Sequence, residues 1–132
     1  MTRSQLQRRV EQVARQLTPL GLAHWEFDVQ IVDTDGLEAP NSDAQVQAST
    51  KYDSAQMCFR REFIEVAEVE DIDKTIVHEL LHLLFRDFEN LLDLATQELG
   101  VTARELAEKT YDHELEGVIE RVARALSPVI SQ

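Results

Sequence analysis

Residues 75–85 read TIVHELLHLLF, a leucine-rich run with two histidines, His78 and His82, and a carboxylate, Glu79, in its middle. On a helix turning about 100° per residue, the two imidazoles fall within about 40° of each other. Val77, Leu80, Leu84, Phe88 and Leu91 occupy the opposite arc, so the packing stripe is complete without the histidines. The pair stands one turn apart, about 6 Å along the axis, and points one way, as a single tetrahedral metal ion requires. Glu79 lies about 100° round from His78. That position is poor for a third ligand on the same ion and good for taking a proton from a water held there. His-Glu-x-x-His on a helix is a zinc-site pattern for this mechanical reason.

Upstream of this run, six acids lie between Glu62 and Asp73, and Asp71 or Asp73 is expected to cap a long helix that continues into the early nineties. Residues 4–17 space Leu6, Val10, Val13 and Leu17 as one face of an N-terminal helix, stopped by Thr18-Pro19-Leu20-Gly21. In HWEFDVQIV, Trp25, Phe27, Val29 and Ile31 alternate with polar residues, as in a half-buried strand. Asp33–Asp43 reads as a loop. Residues 44–50 and 55–60 alternate again and, joined by KYDS, predict a hairpin at a sheet edge. Downstream, Gly100 ends the long helix and Thr102-Ala-Arg-Glu105 reads as a capping box opening a short one. A last helix is expected over roughly Asp112–Leu126, closed by Ser127-Pro128.

Catalytic zinc normally has three protein ligands and a water, so one more side chain is needed. Nearby positions fail. Four residues beyond His82 is Arg86, six beyond is Phe88, and Glu89 shares the histidine face but stands about 10 Å along the axis. The final helix packs through Leu115, Val118, Val122 and Leu126, with Ile119 at the edge of that arc. It turns His113, Glu116 and Glu120 to a different face, and the helical wheel does not separate the three. Gly117, beside Glu116, is expected to leave room for a second helix to approach.

HELLH followed, 34 positions after His82, by the helical pair Glu116-x-x-x-Glu120 resembles the gluzincin metallopeptidases. The order of elements, an amphipathic helix, a strand led by Trp25 and an edge hairpin before the motif, is similar to the very small minigluzincin-like and phage-type metallopeptidases. The resemblance implies an α+β, minimal zincin-like domain over residues 1–132. Its parts are an N-terminal helix, a small three-stranded sheet with an edge strand, the HExxH helix and a C-terminal glutamate helix. It also implies one zinc ion per chain on His78, His82 and Glu116, with Glu79 activating the water. Glu120 stands where the family commonly has Asp, steadying a ligand histidine; Glu120 and His113 are the alternative ligands. Tyr111 is the candidate oxyanion stabiliser, with His113 and Tyr52 beside it. The implied reaction is endopeptidase hydrolysis, with the substrate extended along the edge of the 55–60 strand. The rival is a zinc-binding regulatory or virion-associated protein that cleaves nothing on the same scaffold. A metal-free acidic interaction domain is a third.

Composition narrows the field. At 132 residues, with 43% hydrophobic and 29% charged side chains, the chain is expected to fold as one globular domain. A net charge of −12 argues against nucleic acid as a partner. The basic exception, Arg3, Arg8, Arg9 and Arg15 against Glu11, is expected to be a solvated helix face. No run reaches the roughly 18 apolar residues of a membrane span, and the charged N-terminus lacks the apolar core of a signal peptide. The lone Cys58 fits a reducing compartment. Together with the resemblance, this points to the cytoplasm of a prokaryote or phage-infected cell, as a monomer or an oligomer, with a peptide or protein substrate.

Overall fold

Thr2 opens the first helix with a reciprocal cap. Its hydroxyl accepts from the Gln5 amide at 3.2 Å, and the Gln5 side-chain oxygen accepts from the Thr2 amide at 2.8 Å. Helix α1, Arg3–Gln16, then buries Leu6, Val10, Val13 and Ala14, with Leu17 after them, the stripe that the spacing anticipates. The structure is a computed structural model that describes residues 1–17, 20–33, 36–37, 42–49 and 52–130. The side chains of Asp87, Phe88, Asn90 and 127–130 lie outside the description. Thr18 and Pro19, much of the 33–43 loop and part of the KYDS turn therefore also lie outside it. Gly21 has φ 68°, a left-handed turn into the sheet that favours glycine.

The basic face of α1 is not wholly solvated. Arg9 turns inward, and its Nε and Nη2 donate to the two carboxylate oxygens of Asp73, each at 2.6 Å. Asp73 is fully buried. It is an anchor between two helices and not a cap, which corrects the reading of the sequence. Removing one partner of a buried ion pair leaves an uncompensated charge. Arg9→Ala is accordingly expected to lower the free energy of unfolding by about 3–5 kcal/mol, measured by urea denaturation.

Strands β1 (Glu26–Val32), β2 (Ala44–Ala48) and β3 (Ser54–Arg60) form one sheet in the order β1-β3-β2. β3 runs parallel to β1 and antiparallel to β2. The three strands and the hairpin are as expected, but the 54–60 strand is central and so presents no edge. The expected substrate position along it is therefore wrong. The reason is visible in its burial: Met57, Cys58 and Phe59 are buried at consecutive positions, which requires cover on both faces.

The two outer edges differ. At the centre of β1, the Gln7 side chain donates to the Phe27 carbonyl at 2.6 Å and accepts from the Val29 amide at 2.9 Å, occupying the place of a neighbouring strand. On β2, Asp43 O accepts from Arg60 N and Ser49 N donates to Ser54 O. The alternation of an antiparallel pair then turns the peptide groups of Ala44, Val46 and Ala48 outward.

One face of the sheet supplies Phe27, Val29, Ala55, Met57 and Phe59 to the core, closed by α1 and by the long helix α3. A short helix α2, Arg61–Val66, buries Ile64 within the acidic segment, where the sequence promised only a cap. Helix α3 runs from Val69 to Thr96, with Glu70 and Asp71 complementing the dipole in its first turn. Val77 and Leu80 are buried as expected, together with Ile72, Ile76, Leu81 and Leu83, whereas Leu84 and Leu91 are exposed. The Phe88 side chain lies outside the description. Helix α4 is one element, Val101–Ile130, packed on α3. The expected short helix and last helix are thus continuous: Thr102 lies inside the helix, and Ser127-Pro128 does not end it. Among the described side chains of α4, Leu115, Ile119 and Ala123 are buried, while Val118 is exposed. Among the described residues, no helix is long and apolar enough to cross a membrane.

Candidate metal centre

Two neighbouring helices bring the site together. On α3 the rings of His78 and His82 lie 5.1 Å apart and are tilted by 59°. From α4, Glu116 reaches across both: Oε1 lies 2.7 Å from His82 Nε2 and Oε2 3.3 Å from His78 Nε2. One ligand atom each from His78, His82 and Glu116 falls within 4.8 Å of the others. Two imidazole nitrogens and a carboxylate oxygen at this spacing form a cluster that could hold a metal ion, and the donor set suits zinc. Burial lowers the affinity of His82 for a proton, against the opposing pull of Glu116, which favours the neutral form that binds metals.

Glu120, one turn beyond Glu116, places Oε2 3.3 Å from His78 Nδ1. Its Oε1 pairs with Lys74 Nζ at 2.8 Å and with Arg124 Nε at 3.3 Å. The hydrogen bond from Lys74 is the main reason that the Glu120 carboxyl is held below the usual range. His78 therefore has one nitrogen on the metal cluster and the other on a carboxylate, the arrangement that fixes the tautomer and orientation of a ligand histidine. Lys74 was not anticipated. It stands one turn before His78, so extending the wheel backwards by four residues would have found it.

No family model, curated protein or solved structure matches the chain.

Glu79 is buried, and burial, with a contribution from Glu116, pushes its carboxyl up to about 8. It lines the same cleft as the cluster and offers no atom to it, as its wheel position implied. The cleft, about 1030 Å³, lies between α3 and the β2 edge, with Ala44, Val46 and Ala48 on one wall and Thr75, Leu83 and Arg86 on the other. Glu89 also lines it, and burial followed by Asp112 and Glu116 raises its carboxyl.

His113, the alternative to Glu116, is exposed and outside the cluster. Two expectations are not met. Tyr111 packs against the core, and neither it nor Tyr52, which is 74% exposed, lines the cleft. Gly117 is not where the helices meet: a Cβ there would find only Arg121 Nη1, at 3.9 Å. Leu115, Ile119 and Ala123 of α4 instead join the core cluster that also holds Leu80 and Leu81 of α3.

Proposed function

We propose that the chain is a zinc-dependent endopeptidase of the gluzincin kind, with zinc on His78, His82 and Glu116. The observation that carries this reading is the Glu116 carboxylate spanning both HExxH imidazoles from a second helix. When bound, zinc supplies Lewis acidity to a carbonyl and a water acidified towards neutrality. With the metal in place, Glu79 would be the residue that accepts a proton in the cleft and passes it to the leaving amine. Burial, with a contribution from Glu116, holds this carboxyl protonated at neutral pH, and a dication beside it would favour the ionised form that accepts a proton. Glu120 fixes the orientation of His78, and Lys74 fixes Glu120.

The substrate lies along β2. Its outward peptide groups at Ala44, Val46 and Ala48 face the cleft, so an extended peptide can add there as a further strand. The centre of the opposite edge of the sheet is occupied by Gln7.

Purified without chelators, the protein is expected to carry one zinc per chain by elemental analysis, and His78→Ala and His82→Ala are expected to lose it. Because the ligands join two helices, chelation should also lower the melting temperature. Protein without any transition metal would overturn the reading. A zinc-binding protein that cleaves nothing is the second reading, favoured by the position of Tyr111 and Tyr52 away from the cleft. It predicts a full complement of zinc and no hydrolysis of any extended peptide.

A further inference from the structure

Arg86 lies one turn beyond His82, and the chemistry above makes no use of it. Its guanidinium joins three parts of the fold. The side chain springs from α3, and Nη1 donates to the Ser49 carbonyl, just past the end of β2, at 3.4 Å. Its Cζ stands 5.2 Å from the centroid of the Trp25 ring, just before β1. Both Arg86 and Ser49 line the cleft. β2 is also held by its ladder to β3, by the Arg60–Asp43 ion pair at its start and by Ala44, Val46 and Ala48 against the core.

We propose that Arg86 is a positioning residue that sets the width of the cleft. It pins the Ser49 end of β2 over the metal helix, so that a substrate main chain on Ala44, Val46 and Ala48 meets Glu79 at a fixed distance. Arginine is suited to this because a planar guanidinium stacks on an indole face while donating in its own plane. A lysine ammonium is a point charge and does not combine the two. The consequence for substrate rests on the peptidase reading; the pinning of β2 does not.

The experiment compares the full-length wild type, Arg86→Ala and Arg86→Lys, with metal content and folding measured on each. Amide exchange at Gln47 and Ser49, whose N–H groups face β3, is expected to accelerate about tenfold in Arg86→Ala, the size of one hydrogen bond and one cation–π contact together. Arg86→Lys should fall between, and exchange in α3 and β1 should not change. Two probes then read the cleft in zinc-loaded protein. Acetohydroxamate, which reaches only the metal, should bind all three alike. A tripeptidyl hydroxamate, which also needs the β2 edge, should bind Arg86→Ala about tenfold more weakly. Unchanged exchange in β2, or equal acceleration throughout the chain, would overturn the proposal. So would equal weakening of both hydroxamates, which would place Arg86 at the metal. A chain without zinc would defeat the peptidase reading, and the exchange experiment would still decide the role of Arg86.

Discussion

Glu116→Ala should strip the protein of its metal, whereas Glu120→Ala should keep it at reduced affinity. The two glutamates are one turn apart on α4 and differ in what they face. Glu116 lies against the Nε2 atoms of both histidines, and Glu120 against Nδ1 of one. Losing the first removes a charged oxygen from the coordination set. Losing the second removes an orienting hydrogen bond, for which a loss of about 10–100-fold is expected. The Glu116→Ala loss should exceed that range, and His113→Ala should cost nothing. Chelator competition at neutral pH gives all three numbers. Glu116 is half exposed, with 54% of its side chain accessible, so its truncation leaves the core intact and a lost metal cannot be blamed on unfolding. An inverted order would show that the ligand assignment is one helical turn out of register.

Glu79→Gln should keep the metal, abolish hydrolysis and stabilise the metal-free chain in alkali. The first two follow from a carboxylate that lines the cleft outside the cluster. The third follows from its pKa, about 8 in the fold against an ordinary 4.5. The folded state binds the proton more tightly, so this group contributes stability that is fully present below about 4.5. That stability is lost as the pH rises to about 8. Each pKa unit corresponds to about 1.4 kcal/mol, so the full swing is of the order of 5 kcal/mol. Glutamine cannot ionise and should abolish this dependence, leaving the variant no more stable than wild type at pH 4 and clearly more stable at pH 9. Bound zinc should reduce the difference, because a nearby dication favours the ionised carboxylate. Urea denaturation of apo and zinc-loaded protein across this range measures both. An identical pH dependence in the variant would mean that Glu79 is not the buried acid responsible.

The parts legible in the sequence were those in which one helix face or one strand face carried the whole signal. The stripe of α1, the alternation of β1 and the separation of His78 and His82 from Val77 and Leu80 all reappear in the fold. Wheel geometry also placed Glu116 and Glu120 on a shared face, although the choice of Glu116 rested on the gluzincin resemblance and not on the wheel. Periodicity failed where length mattered. It shows that a helix is amphipathic but not how far its partner extends, so Leu84 and Leu91 continue a stripe whose covering surface has ended. The caps read at Thr102 and Ser127-Pro128 are weak local preferences, and one continuous α4 overrides them. Strand order was misjudged for another reason. Alternation places a strand on a sheet without saying which neighbours it has, and the adjacent buried residues Met57, Cys58 and Phe59 were the overlooked sign of a central strand. Arg9 looked like one of four surface charges because its partner, Asp73, is 64 positions away.

The glutamine laid against β1 also bears on how copies of this protein can meet. A sheet with two open edges can add a neighbour on each side and grow without limit, which is the geometry of a fibre. Here the middle of one edge is already spoken for by Gln7, and the other belongs to the cleft. Main-chain pairing is thus blocked at the middle of β1, and the outward peptide groups of β2 are the ones that remain turned away from the sheet. At the centre of β1, a neighbouring chain therefore finds neither the Phe27 carbonyl nor the Val29 amide free to begin a ladder.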